Sequence, residues 1–325
     1  MNGQSAIMES GKAIAALSLC HAAQYYSVVS IYSYVGYLAE HNSWASSVSR
    51  AGFVSGFLGG AMPLARLFTA VAWGRVADSW GRRPVVIIGM CALAMGHVLF
   101  AFAQPLWLAV AARFVLMGAL NGWPSLTGLV AQEVAGPQRV HAALGAIYGA
   151  AGVMTLVAPA CGAALYGKGG PLGERYPAAA PAVLPFVLSA CAALGVWCFV
   201  PETRPVPPAP APAPAPALAE APSTTIVTST APSTDGDLQR RARMTSPDGE
   251  QRASWRRLVW QRPLPMLIAL RTAMGFVEFG ANDVMPLYLC AAVRYGGLGL
   301  SVRRQGLVTT YRTLPYLTLP YLYPT

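Results

Sequence analysis

Trp73–Gly89 reads WGRVADSWGRRPVVIIG. Arg75, Asp78, Arg82 and Arg83 crowd into this stretch, in a chain whose residues are only 11% charged. Apolar runs flank it. From Ala51 to Gly74 the only charge is Arg66, and from Pro84 to Gln132 the only charge is Arg113. A membrane-spanning helix takes about 20 mostly apolar residues. A knot of charge between two such runs therefore reads as a short loop outside a bilayer.

The rest of the chain fits that reading. Its 325 residues are 54% hydrophobic, with a mean hydropathy of +0.44. A soluble domain carries roughly 25% charged residues, and this much apolar surface needs lipid to cover it. Ala13–Ala39 contains no Lys, Arg, Asp or Glu. Gln104-Pro105 divides the long run from Pro84 to Gln132, because proline breaks a helix or starts a new one. Further runs are Val140–Gly167, Tyr176–Pro201 and Pro263–Val293, the last holding Arg271, Glu278 and Asp283. Spanning helices are expected near 13–39, 51–74, 84–104, 106–132, 140–166, 178–200 and 264–290.

The net charge of +10 raises the question of nucleic acid. The basic residues lie between apolar runs or in one long polar segment, so no nucleic-acid partner is expected. With the N-terminus inside, Lys12, Arg75, Arg82, Arg83 and Arg139 fall on the cytoplasmic side, as do the arginines between 204 and 262. The outer loops of the first six helices then hold only Arg50, Lys168 and Arg175. That is the asymmetry of the positive-inside rule.

The expected organisation is a cytoplasmic tail over 1–12, a six-helix bundle over 13–200, a loop over 201–262, a seventh helix with its outer loop over 263–305, and an incomplete tail over 306–325. VPPAPAPAPAPALAEAP (206–222) cannot build a helix or a core and reads as an extended linker. The Ser/Thr-rich and Arg-rich stretches after it read as disordered. At the end, TLPYL occurs twice in succession, Thr313–Leu317 and Thr318–Leu322. Prolines at that spacing do not make a span. The repeat reads as a gene-model artefact or frame error, with a short genuine variant as the alternative.

The six cysteines show no C-x-x-C spacing and fall mostly in apolar runs, where packing explains them. His21, His97 and His141 lack a second ligand at metal spacing, so each is expected to be a hydrogen-bonded packing residue, and no metal site is expected. No nucleotide loop, metal cluster or extramembrane Ser/His/Asp set is present. The chain reads as no enzyme and as requiring no cofactor.

WGRVADSWGRRP resembles the loop between helices 2 and 3 of the major facilitator superfamily, with pattern G-x-x-x-D-x-x-G-R-K/R. Gly74, Asp78, Gly81, Arg82 and Arg83 fill it. Gly74 and Gly81 are expected to permit a tight turn, and Asp78 to cap the start of the next helix. Other stretches resemble the zinc-induced-facilitator-like branch. They are Arg66 ahead of Trp73-Gly74, ARFVLMGALNG (112–122), PET (201–203) and GGLGLS (296–301). APACG (158–162) resembles the helix 5 motif common in antiporters, carried here by Pro159 and Gly162. Arg113 stands one residue further from Gly118 than the family's R-x-x-x-G spacing. His21-Ala-Ala-Gln24 stands where relatives often have Arg-x-x-Glu, and the chain reads as lacking helices 8 to 12 of that pattern.

The resemblance implies an all-α membrane protein: a major facilitator-type bundle with the six-helix N-terminal half and one or two helices of the second. It also implies a multi-pass transporter of a small organic solute or metal chelate, coupled to protons, in the plasma or vacuolar membrane. The competing reading is a truncated, non-transporting fragment or a membrane interaction protein; the oligomeric state is left open. Charges within spans are costly, at least ~2.5 kcal/mol each near the bilayer centre. Arg66, Arg113, Glu278 and Asp283 are therefore expected to face the interior as the solute and proton pathway, with structural pairing as the alternative. Glu278 and Asp283 are five residues apart, which turns them roughly 140° from one another on a helix. Asp283, just before Pro286, is expected to carry the proton and Glu278 to act as a structural or gating acid.

Overall fold

The computed structural model describes residues 3–46, 48–202, 265–267, 269–270, 273–274, 277, 285, 288–289, 291, 293 and 297–310. The chain divides into two units. In the unit Val206–Gly280 the described residues are all helical. The other unit, Met1–Pro205 with Ala281–Thr325, carries the fold.

Helices succeed one another through this unit, and no strand occurs among the described residues. α1 is Gly3–Val29, continued by a 3-10 turn over Ser30–Ser33, and α2 is Val35–His41. α3 is Val48–Trp80 and α4 is Arg82–Ala101. α5, Leu106–Ala111, runs into a π-helical stretch, Ala112–Ala119, and α6 is Trp123–Ala135. α7 is Val140–Leu165, α8 is Pro171–Arg175 and α9 is Ala179–Phe199. A further helix, α10, covers 302–310.

Among the described residues six helices are long and apolar enough to cross a membrane: Met8–Ser33, Arg50–Trp80, Arg82–Ala101, Leu106–Ala135, Val140–Leu165 and Ala179–Phe199. They correspond to the first six expected spans. The seventh expected span, 264–290, lies for the most part outside the described residues. α1 packs on α7 and α9, α4 on α9, and both α3 and α4 on the π-helical stretch. Pro63, Pro159 and Pro185 lie inside helices. Neighbouring helices in a membrane bundle re-satisfy the backbone groups that proline frees.

Three boundaries differ from expectation. α1 starts at Gly3, so residues expected in a tail are helical. Residues 302–310, at the junction with the expected tail, are helical too. The largest difference concerns α3, which runs on to Trp80. At 33 residues it is about 50 Å long, well beyond the ~30 Å hydrocarbon core. WGRVADSW is thus the C-terminal end of a helix, and the connection to α4 is Gly81 alone.

Candidate functional site

Gly81 has φ +103°, in the region that disfavours every other residue, and a Cβ there would run into the Glu202 carboxylate. The turn therefore requires glycine twice over. Gly74 makes no turn: it sits within α3 with open space around it. The expected cap is also corrected. Asp78 lies in the last turn of α3, exposed, and α4 starts from Gly81 with no side-chain cap. The tight turn leaves the aspartate on the helix it ends, not on the one that follows.

The two arginines after the turn hold on to neighbouring helices. Arg82, nearly buried, forms an ion pair with Glu133 near the end of α6. Arg83 donates to the carbonyl of Trp197 on α9, and its guanidinium lies 5.1 Å from that indole ring. A cavity of about 560 Å³ opens beside them, lined by Glu9, Lys12, Arg83, Trp197 and Phe199 among others.

Deeper in the bundle, Arg66 and Arg113 cross-link two spans reciprocally. Arg113, from the π-helical stretch, donates through Nε to the carbonyl of Leu58 on α3 at 2.7 Å. Arg66, from α3, donates through Nη2 to the carbonyl of Met117 in the π-helical stretch at 3.1 Å. Arg113 is 2% exposed, and its guanidinium lies 6.0 Å from the Phe100 ring. The π-helical stretch accounts for the shifted arginine spacing. The Leu120 amide bonds back five residues to Val115. A π turn absorbs one extra residue within a helix, so Arg113 still points inward.

A row of polar side chains on the first span, His21, Gln24, Ser27, Ser30 and Ser33, is buried throughout. Steps of three residues fall short of a full turn by about 60°, so the row winds around the helix and meets different neighbours. Gln24 accepts from Asn121 Nδ2 at 2.6 Å. Ser27 Oγ lies 2.6 Å from His97 Nε2 on α4. Ser30 and Ser33 meet α7, where a Cβ on Gly162 would lie 2.8 Å from the Ser30 carbonyl oxygen and 2.9 Å from Ser33 Oγ. His97 is the hydrogen-bonded packing residue expected of it. Gln24 and Asn121 were not among the expected site residues, although the regular three-residue spacing of polar side chains in an apolar run is visible in the sequence.

The other side of the helix 5 motif receives α10. Gly306 lies against Ala163, and a Cβ on it would fall 2.9 Å from the Pro159 carbonyl oxygen. Gln305 Nε2 donates to the carbonyl of Tyr32 at 3.2 Å, and the Tyr37 hydroxyl donates to the carbonyl of Leu300. Pro159 and Gly162 thus sit between the first span and α10. Glu278, Asp283, Arg271 and Pro286 lie outside the described residues. Among the described residues no group of three or more His, Cys, Asp or Glu is placed to hold a metal ion.

A family model described as Major Facilitator Superfamily matches residues 15–318. The chain belongs to the major facilitator superfamily. Members of this family are transporters, not enzymes, and with six spans this one is a multi-pass integral membrane protein. It is 26% identical over 301 residues to Protein ZINC INDUCED FACILITATOR-LIKE 1 of Arabidopsis thaliana, a match covering 87% of this chain and 57% of that protein. Protein ZINC INDUCED FACILITATOR 1 of the same plant is 25% identical over 310 residues, 91% of this chain and 60% of its own. Efflux pump azaK of Aspergillus niger is 29% identical over 153 residues, 47% of this chain and 32% of its own. The chain spans about three fifths of the length of the two Arabidopsis proteins.

Proposed function

We propose that this protein acts in proton-coupled secondary transport of a small organic solute or metal chelate. The supporting observation is the buried polar kernel of Arg113, Gln24, Asn121, Ser27 and His97 inside an otherwise apolar bundle. Polar and charged groups are expensive at membrane depth, and facing the bundle interior they mark solute and ion pathways. Relatives named as facilitators and an efflux pump agree with that reading. Sites near the midplane between two halves are the general pattern of such folds.

Within this reading, Asp283 is the proton carrier and Glu278 the structural or gating acid. Pro286 stands three residues on in the sequence, and a proline within a span disturbs the helical hydrogen-bond ladder, where water can then enter. Arg66 and Arg113 tie the second and fourth spans together, and the 74–83 element with Pro159 and Gly162 sets the conformational balance. The N-terminus and the 201–262 loop are cytoplasmic by the placement of arginine, and an impermeant thiol reagent that labels a cysteine placed at Ala217 from outside intact cells refutes this orientation.

The test of function is reconstitution of the chain into proteoliposomes under an imposed pH gradient, with solute-dependent proton flux read by an entrapped pH dye. Flux is expected in the native chain, strongly reduced in Asp283→Asn and partly retained in Glu278→Gln. Flux with unaltered pH dependence in Asp283→Asn overturns the assignment of the proton carrier. The absence of flux with every solute class overturns the transport reading.

A further inference from the structure

The regular hydrogen bonding of the fourth span, Leu106–Ala135, is interrupted half-way along its length. The π-helical stretch ends at Ala119 and α6 begins at Trp123; between them Leu120–Gly122 leave the regular hydrogen-bond ladder, although Leu120 and Gly122 keep right-handed helical dihedrals. Irregular backbone at membrane depth persists only where it is buried in protein or lines a cavity. A half-helix that starts there presents the positive end of its dipole, the arrangement with which transporters hold anionic groups.

Two buried side chains at this break have polar atoms without partners. Trp123 is 0% exposed and His21 3%. Trp123 Nε1 and His21 Nδ1 are both buried and make no hydrogen bond. Their rings meet edge-on with centroids 5.6 Å apart. Buried polar groups in folded proteins are almost always paired, so an unpaired indole N–H beside an unpaired imidazole nitrogen at a helix N-terminus points to a partner that comes from outside the chain. Asn121 Oδ1, also buried and unpaired, adds one acceptor at the same break.

The surroundings define the rest of that ligand. Tyr148 of α7 meets His21 edge-on at 5.1 Å, and Tyr25 lies 5.7 Å from it. Both tyrosines reach the surface, at 50% and 36% exposure, and so supply an aromatic wall leading from the buried donors outward. Arg66 lies within electrostatic reach of His21 and Tyr25. An inorganic anion would use the donors and leave the aromatic wall unused. A carboxylate on an apolar body uses both.

We infer that the break in the fourth span, with Trp123 and His21 at it, binds the carboxylate of a small organic solute whose apolar body lies against Tyr25 and Tyr148. Trp123 Nε1–H and His21 Nδ1–H donate to the carboxylate oxygens. The assignment rests on the transport reading for its role, but the binding itself does not need transport.

The experiment is thermal unfolding of the purified full chain in detergent, at constant ionic strength, with benzoate, benzylammonium or chloride as probes. Benzoate is expected to raise the melting temperature saturably, and the other two to leave it unchanged. Trp123→Phe and His21→Phe keep a ring and remove the donor, and each is expected to weaken benzoate about tenfold or more. Should either variant fail to fold, Tyr148→Ala at its half-exposed position tests the same site and is expected to weaken benzoate several-fold. A folded native chain that ignores benzoate overturns the inference, as does a shift that survives the donor variants. Equal shifts from chloride and benzoate overturn the organic-solute assignment. Benzoate binding without proton flux in proteoliposomes defeats the transport reading and leaves the binding site standing.

Discussion

The first and fifth spans look alike in sequence. Both are 26 residues long, with mean hydropathies of 1.3 and 1.6. In the structure they differ: 67% of the most apolar window of Met8–Ser33 is buried inside the chain, against 17% for Val140–Leu165. Lipid is as apolar as a protein interior, so hydropathy does not distinguish a central helix from a peripheral one. The polar row does. That row is buried in the bundle, with Gln24 and Ser27 bonded to Asn121 and His97 of other spans, whereas the fifth span leaves Tyr148 and Val153 about half exposed.

The comparison is easiest to break where the two spans meet. Gly162→Leu places a side chain where even a Cβ lies 2.8 Å from the Ser30 carbonyl oxygen. It is expected to destabilise the bundle by about 1–3 kcal/mol, read as a lower denaturation midpoint in detergent. An unchanged midpoint would show that the two spans separate freely. Gln24→Leu tests the polar row itself. It leaves the buried Asn121 amide without its partner and is expected to cost roughly 1 kcal/mol. The double variant Gln24→Leu/Asn121→Leu is expected to recover much of that loss, and strict additivity of the two single changes would mean that the bond contributes nothing.

The peripheral face should tolerate change. Gly149→Ala, on the same helix as Gly162 but with no atom within 4 Å of the added carbon, is expected to be neutral or to stabilise by up to ~1 kcal/mol through helix propensity. A clear loss would place a neighbour against that face. The smallest effect is expected from Asp78→Asn. Asp78 is exposed and has no hydrogen-bond or ion-pair partner among the described residues, so the stability of this chain should change by less than about 0.5 kcal/mol. Arg82→Gln in the same element removes the ion pair with Glu133, and it should exceed Asp78→Asn in the same assay.

The number and positions of the first six spans, the polar connection around Gly81 and the family resemblance all followed from the sequence. They depend on local quantities: runs of apolar residues long enough for a bilayer, the charges between them, and a glycine where the chain must turn. The same locality explains why Arg66 and Arg113 stood out, since a charge in an apolar run is conspicuous before anything is folded. Their partners were not legible. Each donates to a backbone carbonyl of the other's span, and every residue offers a carbonyl. Asp78 was misplaced because a one-residue turn and a longer loop share the same charges, and only the continuation of α3 to Trp80 separates them. The inward direction of Arg113 depended on a π turn, and the site at Trp123 and His21 on a helix break at membrane depth. Sequence determined which segments enter the membrane, because entry depends on the composition of one segment at a time. Tertiary structure decided which faces meet and which donors remain unpaired, because those depend on atoms from several segments brought together.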